Sequence, residues 1–349
     1  MDVRDAIRAV VAGHDLPQGE AFAVASAMIA GSLTPAQLGA LLAALRAKGE
    51  TADEIHGFAA AVREHMTPVG IDGDGAIDTC GTGGDGAGTF NISTVAAFVA
   101  AGAGCRVAKH GNRAVSSRCG SADLLEHLGV PLNMTPEQAA RSIRQVGIGF
   151  LFAPCFHPSL KHAAAVRREI GVRTMLNIVG PLANPARTKR QLIGVFDASL
   201  TRPLAETFLR LGADHCLVVH GHGGLDEISL SGPTQVTEAR RCPSAEGAAA
   251  DWRVQTFAVT PEQFGFDRCG VEELRVADME SNVKTAVGVL QNRPGPARDI
   301  VALNAGAAIY VAGAADSLEA GVERAFESIA SGRAHQKLEQ LRQAVGATA

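Results

Sequence analysis

The stretch Asp78-Thr-Cys-Gly-Thr-Gly-Gly-Asp-Gly-Ala-Gly-Thr-Phe-Asn-Ile-Ser-Thr94 places five glycines within residues 81–88. A short β-like run, residues 76–80, leads into it, and an apolar run, residues 95–99, follows. Asn91, Ser93 and Thr94 stand just ahead of that run and signal a helix start. Glycine tolerates positive φ and lets a backbone come close to a ligand. At a strand-to-helix junction the free N–H groups converge, and the helix dipole favours an anion there. An ordinary turn of this kind rarely needs five glycines, so the stretch reads as a cradle for phosphate.

Gly81-Thr-Gly83-Gly-Asp-Gly86 also satisfies G-x-G-x-x-G, the dinucleotide fingerprint. That reading requires the helix to begin inside the motif and an acid about 20 residues on, for the ribose. Here the helix begins only near Ser93, and the next strand ends in Lys109 and His110. No Gly-Lys-Ser/Thr follows, which excludes a Walker loop. What is left is an anion cradle facing a second, cationic loop, residues 109–117, with Ser121 just beyond. It carries Lys109, Arg113, Arg118, an amide and several hydroxyls. Ligands of open α/β sheets bind at strand C-termini, which puts both loops on one ligand. Lys109 suits a point charge on phosphate and Asn112 an orienting hydrogen bond. Arg118 and Ser116 read as solvated.

With 349 residues and 46% apolar content, the chain can bury a full core and is long enough for two domains. A net charge of −4, with Lys and Arg dispersed, argues against general nucleic-acid or anionic-membrane binding. The N-terminus MDVRDAIRAVV lacks the apolar core of a signal peptide. Residues 95–105 are apolar but too short to span a membrane. Seven cysteines without a CxxC pair read as reduced thiols of a cytoplasmic protein.

Residues 1–66 read as helical. Thr34-Pro-Ala-Gln37 is a capping box with proline at N1, and Thr51-Ala-Asp-Glu54 opens another helix. Ala36, Ala40, Ala43 and Ala44 allow close packing, so this segment is either a small helical domain or half of a dimer interface. From Ala76 strands alternate with helices. Strands are expected at 76–80, 105–109, 148–153, 191–196, 216–220 and 255–259. Helices are expected at 93–103, 121–128 and 159–170, with a further capping box at Thr135-Pro-Glu-Gln138. The expected fold is α/β, a mostly parallel central sheet flanked by helices, with a smaller all-helical domain. The helical domain is placed at 1–70 plus helices near 159–188, and the α/β domain at 71–158 and 189–349. Residues 243–251 read as a surface insertion. The tail from Ser281 reads as helical, broken at 292–296, Gly313 and Gly332.

The paired loops GTGGDG…TFNIST and KHGNRAVSSRCGSADLLE closely resemble the anthranilate phosphoribosyltransferase family, whose members join anthranilate to phosphoribosyl pyrophosphate in tryptophan biosynthesis. The resemblance continues through FAPCFHP (152–158), Arg173-Thr174, GPLANP (180–185) and GLDEIS (224–229), and covers nearly the whole chain. It implies that Gly81, Gly84, Asp85 and Thr89 line the phosphoribosyl pyrophosphate site, with Asn91, Ile92, Ser93 and Thr94 at the helix start. It assigns Lys109, His110, Gly111, Asn112, Arg113, Ala114, Val115, Ser116, Ser117 and Ser121 to the same site. Anthranilate would meet Gly81, Asn112 and Arg167, whose guanidinium can pair with a carboxylate bidentately. On the residues alone Arg167 reads equally as a surface charge in Arg167-Arg168-Glu169. The family commonly has a proline where this chain has Ala165.

The resemblance also implies magnesium (Mg2+) on Asp226 and Glu227 with the Ser93 hydroxyl. Adjacent strand residues face opposite ways. The two acids can therefore share an ion only if the chain turns, which Gly221, Gly223 and Gly224 allow. Oxygen ligands beside pyrophosphate suit magnesium, not zinc. No side chain is expected to serve as a strong general base. The expected protein is a homodimer acting on small molecules, without nucleic acid or membrane. Two alternatives stand beside this reading. One is a pyrimidine nucleoside phosphorylase of the same fold, a family lacking the KHGN stretch and the acidic pair. The other is a non-catalytic nucleic-acid-binding relative, which requires a basic surface.

Overall fold

The structure, a computed structural model, describes residues 2–71, 75–114, 119–242 and 251–346. Seven strands form one sheet: β1 Ala76–Thr79, β2 Arg106–Gly111, β3 Ile148–Phe152, β4 Arg190–Gly194, β5 His215–His220, β6 Thr234–Arg241 and β7 Trp252–Val259. Their order is β3-β2-β1-β4-β5-β6-β7. β1 to β5 are parallel, and β6 and β7 add an antiparallel edge. The winding direction reverses between β1 and β4. Loops leaving those two C-termini part in opposite directions and open a crevice, the usual ligand position in such sheets.

Parallel strands must be covered on both faces, and their alternating side chains feed two cores. Leu192, Leu217 and Val219 point into one, Ile193, Cys216 and Val218 into the other. The first core is roofed by the helices Ile92–Gly102, Pro296–Val311, Leu318–Ala330 and Arg333–Gly346. Ile92–Gly102 is buried at every position except Ser93. A helix apolar all round belongs at the centre of a fold, and this one points its N-terminus at the crevice.

The second core joins the sheet to the helices Val3–Val11, Gln18–Ile29, Pro35–Lys48 and Ala52–His65, with Lys161–Ile170 and Met175–Val179 returning to it. The capping boxes at Thr34, Thr51 and Thr135 form as the sequence predicts. Strand and helix ends differ from expectation by one to three residues. The one strand not foreseen is β6, which buries polar residues on both of its faces: Thr237 bonds Thr201 and Thr256 on one, and Glu238 bonds His215 and Gln255 on the other. The expected insertion at 243–251 lies, apart from Asp251, outside the described residues. Among the described residues no helix is long and apolar enough to cross a membrane.

Glu54 ties the N-terminal helices together. Its Oε1 accepts from Leu16 N at 3.0 Å, and its Oε2 from Thr51 N at 2.9 Å and Lys48 Nζ at 3.0 Å. Glu54 is fully buried, so Glu54→Ala strands an ammonium and two N–H groups. Breaking a buried pair costs about 3–5 kcal/mol. Lys48 keeps Asp15 at 2.7 Å, which places the expected loss near the lower end, about 3 kcal/mol. A fall in the urea midpoint, followed by circular dichroism, checks this; an unchanged midpoint contradicts it.

Candidate active site

The loop leaving β1 is fastened to its neighbours on both sides. Thr82 N donates to Gly194 O, and Gly83 N to Asp226 Oδ2, both at 2.8 Å. Crowding, not conformation, requires glycine at 81, where a Cβ would stand 2.7 Å from Asp226 Oδ2. At Gly84 the reason is conformation, with φ at +76°. The far half of the loop is zipped to residues 274–276: Phe90 N donates to Leu274 O and Val276 N to Gly88 O, both at 3.1 Å. Between these anchors the N–H groups of Gly84, Asp85 and Gly86 have no hydrogen-bond partner among the described residues. Free donors held between fixed flanks make an anion site.

The loop walls a cavity of about 320 Å³, of a size that suits small molecules. Gly81, Gly84, Asp85, Thr89, Asn91, Ile92 and Ser93 line it. So do Lys109, His110, Gly111, Asn112, Arg113, Ala114 and Ser121, and beyond them Arg167, Asp226 and Glu227. Thr94 does not line it: a helix turns about 100° per residue, and the Thr94 side chain faces the core, 1% exposed. Val115, Ser116, Ser117 and Arg118 lie outside the described residues.

The helix start is also not capped as expected. Asn91 makes no cap hydrogen bond; its amide oxygen accepts from Asn282 Nδ2 at 2.7 Å. Glu227 supplies the cap, its Oε1 accepting from Ser93 N at 3.1 Å, where the helix dipole favours a carboxylate.

In the second loop the unforeseen anchor is Asp123, whose Oδ2 accepts from Ala114 N at 3.1 Å and Gly120 N at 3.0 Å. The sequence leaves Arg113 free for phosphate, but its guanidinium pairs with Asp123 and Glu126, each at 2.8 Å. Lys109 turns inward rather than reaching out. Its Nζ donates to Thr79 O at 2.6 Å and lies 3.4 Å from Ser93 Oγ, and its charge acts on Asp78 and Glu227. Beside it the His110 and His157 rings lie with centroids 5.1 Å apart. Burial drives both below the ordinary imidazole range, His157 to about 4, so both are neutral near pH 7.

Gly221 bridges to Leu225, so the chain does turn, and Asp226 and Glu227 both reach the cavity. Asp226 is hydrogen-bonded to Asp85; burial first, then Asp85, pushes it up to about 7. Burial, then the Asp226 charge, lifts Glu227 well above the carboxylate range, with Lys109 opposing. Three crowded carboxylates, all oxygen donors, fit a hard cation such as magnesium. Asp78, Cys80 and His110 also bring ligand atoms within 4.8 Å of one another. Asp78, however, already accepts from His110 N at 3.1 Å and Asn184 Nδ2 at 2.7 Å, so this knot holds the strand ends together.

Arg167 lines the cavity from the helix Lys161–Ile170, and no carboxylate among the described residues pairs with it. Arg168 is exposed and donates to Ala164 O. Ala165, in place of the family's proline, is exposed in the same unbroken helix.

Two family models match the chain: the helical bundle domain of a glycosyl transferase family over residues 4–66, and its a/b domain over 73–335. A Nitrosomonas europaea protein named anthranilate phosphoribosyltransferase is 51% identical over 94% of both chains. A Chloroflexus aggregans protein of the same name is 52% identical over 98% of both. The crystal structure of anthranilate phosphoribosyltransferase from Thermus thermophilus superposes with a TM-score of 0.88 at 44% identity, covering 98% of this chain and 99% of that one. The Saccharomyces cerevisiae enzyme, solved in complex with phosphoribosyl pyrophosphate and magnesium, gives a TM-score of 0.88 at 25% identity, covering 99% and 98%.

The crowded acids predict a pH dependence. A carboxyl whose folded pKa is raised binds protons that the unfolded chain has released, so stability falls as pH rises between the two values. For Asp226 that window runs from the ordinary carboxylate range, about 4, up to about 7. Asp78, pushed up to about 6 by burial, acts in the same direction. Without divalent cations the melting temperature is expected to drop between about pH 4 and pH 7, and excess Mg2+ is expected to restore it. Melting curves with Mg2+ and with a chelator check this; identical curves at neutral pH contradict a cation among these acids.

Proposed function

We infer the reaction from one premise: the chain belongs to the anthranilate phosphoribosyltransferase family. It is a pentosyl transferase of tryptophan biosynthesis. It moves the phosphoribosyl group of phosphoribosyl pyrophosphate to the amine of anthranilate, giving N-(5-phosphoribosyl)anthranilate and pyrophosphate. The observation that carries this is that one cavity is lined both by a glycine loop with N–H groups free among the described residues and by Arg167, which has no carboxylate partner among them. The relatives are named anthranilate phosphoribosyltransferase, so the nucleoside phosphorylase and nucleic-acid-binding alternatives have no support.

The amine lone pair forms the new C–N bond at the ribose carbon, while the C–O bond to pyrophosphate breaks and its electron pair leaves with pyrophosphate. An aromatic amine offers that lone pair at neutral pH, and its proton can pass to solvent afterwards. His110 and His157, whose basicity burial lowers, fit this absence of a strong base. Gly84, Asp85 and Thr89, with the helix start at Asn91, Ile92 and Ser93, hold the phosphates, and Lys109, His110, Gly111, Asn112, Arg113, Ala114 and Ser121 complete that site. Asp226, Glu227 and the Ser93 hydroxyl would hold magnesium, which when bound would supply positive charge to the departing pyrophosphate. Lys109 adds a buried positive charge to the floor of the site, and preorganised N–H groups contribute there as well. Gly81, Asn112 and Arg167 hold anthranilate, and holding both reactants in register supplies much of the rest of the acceleration.

The same reading divides the chain into a helical domain, 1–70 with the helices near 159–188, and an α/β domain, 71–158 and 189–349. Two copies pair through the helical domain, where Val11 stands 70% exposed. Seven free cysteines suit the cytoplasm.

Incubating the purified chain with both substrates and Mg2+ is expected to quench anthranilate fluorescence; without turnover the assignment fails. Arg167→Ala removes a charge-assisted pair worth about 2 kcal/mol, so KM for anthranilate is expected to rise roughly 30-fold. KM for phosphoribosyl pyrophosphate should change little. An unchanged anthranilate KM removes Arg167 from the acceptor site.

A further inference from the structure

Gly171 ends the helix that carries Arg167 in the left-handed region, at φ +68°, and the chain then runs through Arg173. Arg173 does not line the cavity. Its Nη1 instead donates to Gly84 O at 2.6 Å, and its guanidinium stands 4.2 Å from the centroid of the Phe196 ring. Phe196 follows β4 and is 7% exposed, so the platform is fixed. A cation over a buried aromatic face is held in place by the ring quadrupole.

The consequence lies in the peptide between Gly84 and Asp85. A trans peptide is planar, so its C=O and N–H point in opposite directions. Fixing Gly84 O on Arg173 therefore fixes the direction of Asp85 N–H, one of the three free donors of the loop. Gly84 has the widest conformational range of any residue type, and Arg173 is what its carbonyl holds on to. The bond is short and charge-assisted, and a cation on the carbonyl polarises the same peptide, making its N–H a stronger donor.

We propose that Arg173 is a positioning residue of the donor site, aiming the Gly84–Asp85 peptide at the diphosphate without touching it. This rests on the cavity being the phosphoribosyl pyrophosphate site. Losing one charge-assisted hydrogen bond and the donor geometry it sets predicts a change of roughly tenfold or more.

The experiment compares the wild-type chain with Arg173→Met and Arg173→Lys. Steady-state kinetics, melting temperature and calorimetric binding of phosphoribosyl pyrophosphate with Mg2+ are measured for each. In Arg173→Met, KM and Kd for phosphoribosyl pyrophosphate are expected to rise about tenfold or more. KM for anthranilate and the melting temperature should stay close to wild type. Arg173→Lys is expected to recover part of the loss, because lysine keeps the charge but not the planar fork that spans ring and carbonyl. Unchanged donor affinity in Arg173→Met overturns the proposal. So does a parallel loss of both affinities and melting temperature, which marks a purely structural residue. A wild-type chain that binds phosphoribosyl pyrophosphate but does not turn over defeats the functional reading alone, and the calorimetry still decides Arg173.

Discussion

The segment after β5 presses against two bare glycines, and the chemistry of the cavity depends on that contact. A Cβ on Gly194 would lie 1.5 Å from Asp226 O, and one on Gly81 would lie 2.7 Å from Asp226 Oδ2. Neither position can carry a side chain without moving the acidic turn outward. Because both are glycine, Asp226 reaches the glycine loop and bonds Gly83 N, while Glu227 reaches the helix start and bonds Ser93 N. A turn from the β4–β5 side of the topological switch thereby fastens both the loop and the helix that leave β1 on the other side.

That arrangement gathers like charge where the protein can least dilute it. Asp85, Asp226 and Glu227 crowd one wall and Asp78 lies beneath, with Lys109 the cation that acts on both Asp78 and Glu227. Asp78 is compensated by hydrogen bonds from His110 N and Asn184. Asp226 and Glu227 have little such compensation and face one another's charge. Unbalanced carboxylates next to unbalanced N–H groups are opposite needs placed side by side, which a cation and a polyanion arriving together would satisfy.

Much of this is legible in the sequence because it is local. Five glycines before a helix, Lys109 where a ribose-binding acid would stand, and the capping boxes at Thr34, Thr51 and Thr135 each depend on residues within a few positions. What escapes depends on partners far along the chain. Asp123 closing the second loop, Asn282 taking the Asn91 amide, and residues 274–276 zipping the glycine loop leave no periodic trace. Lys109 and Arg113 are recognisable as cations, but their direction is set by groups whose proximity only folding creates. β6 escapes for a related reason: both of its faces bury polar residues, and Thr237 on one and Glu238 on the other are satisfied by side chains of other elements.

The glycine loop sums these long-range dependencies. Its ends are gripped by β4, the acidic turn and residues 274–276, and Arg173 holds the Gly84 carbonyl between them; these belong to four separate parts of the chain. Such anchoring costs conformational entropy that a stability-driven fold would recover by satisfying the loop's own donors. Here the flanks are satisfied and the middle is left open: the N–H groups of Gly84, Asp85 and Gly86 are fixed in place without a partner among the described residues. Local departures from the rules of stable folds belong at functional sites. A loop held this firmly and left this unsatisfied is preorganised for an anion, so the cost of ordering it is met in folding instead of at binding.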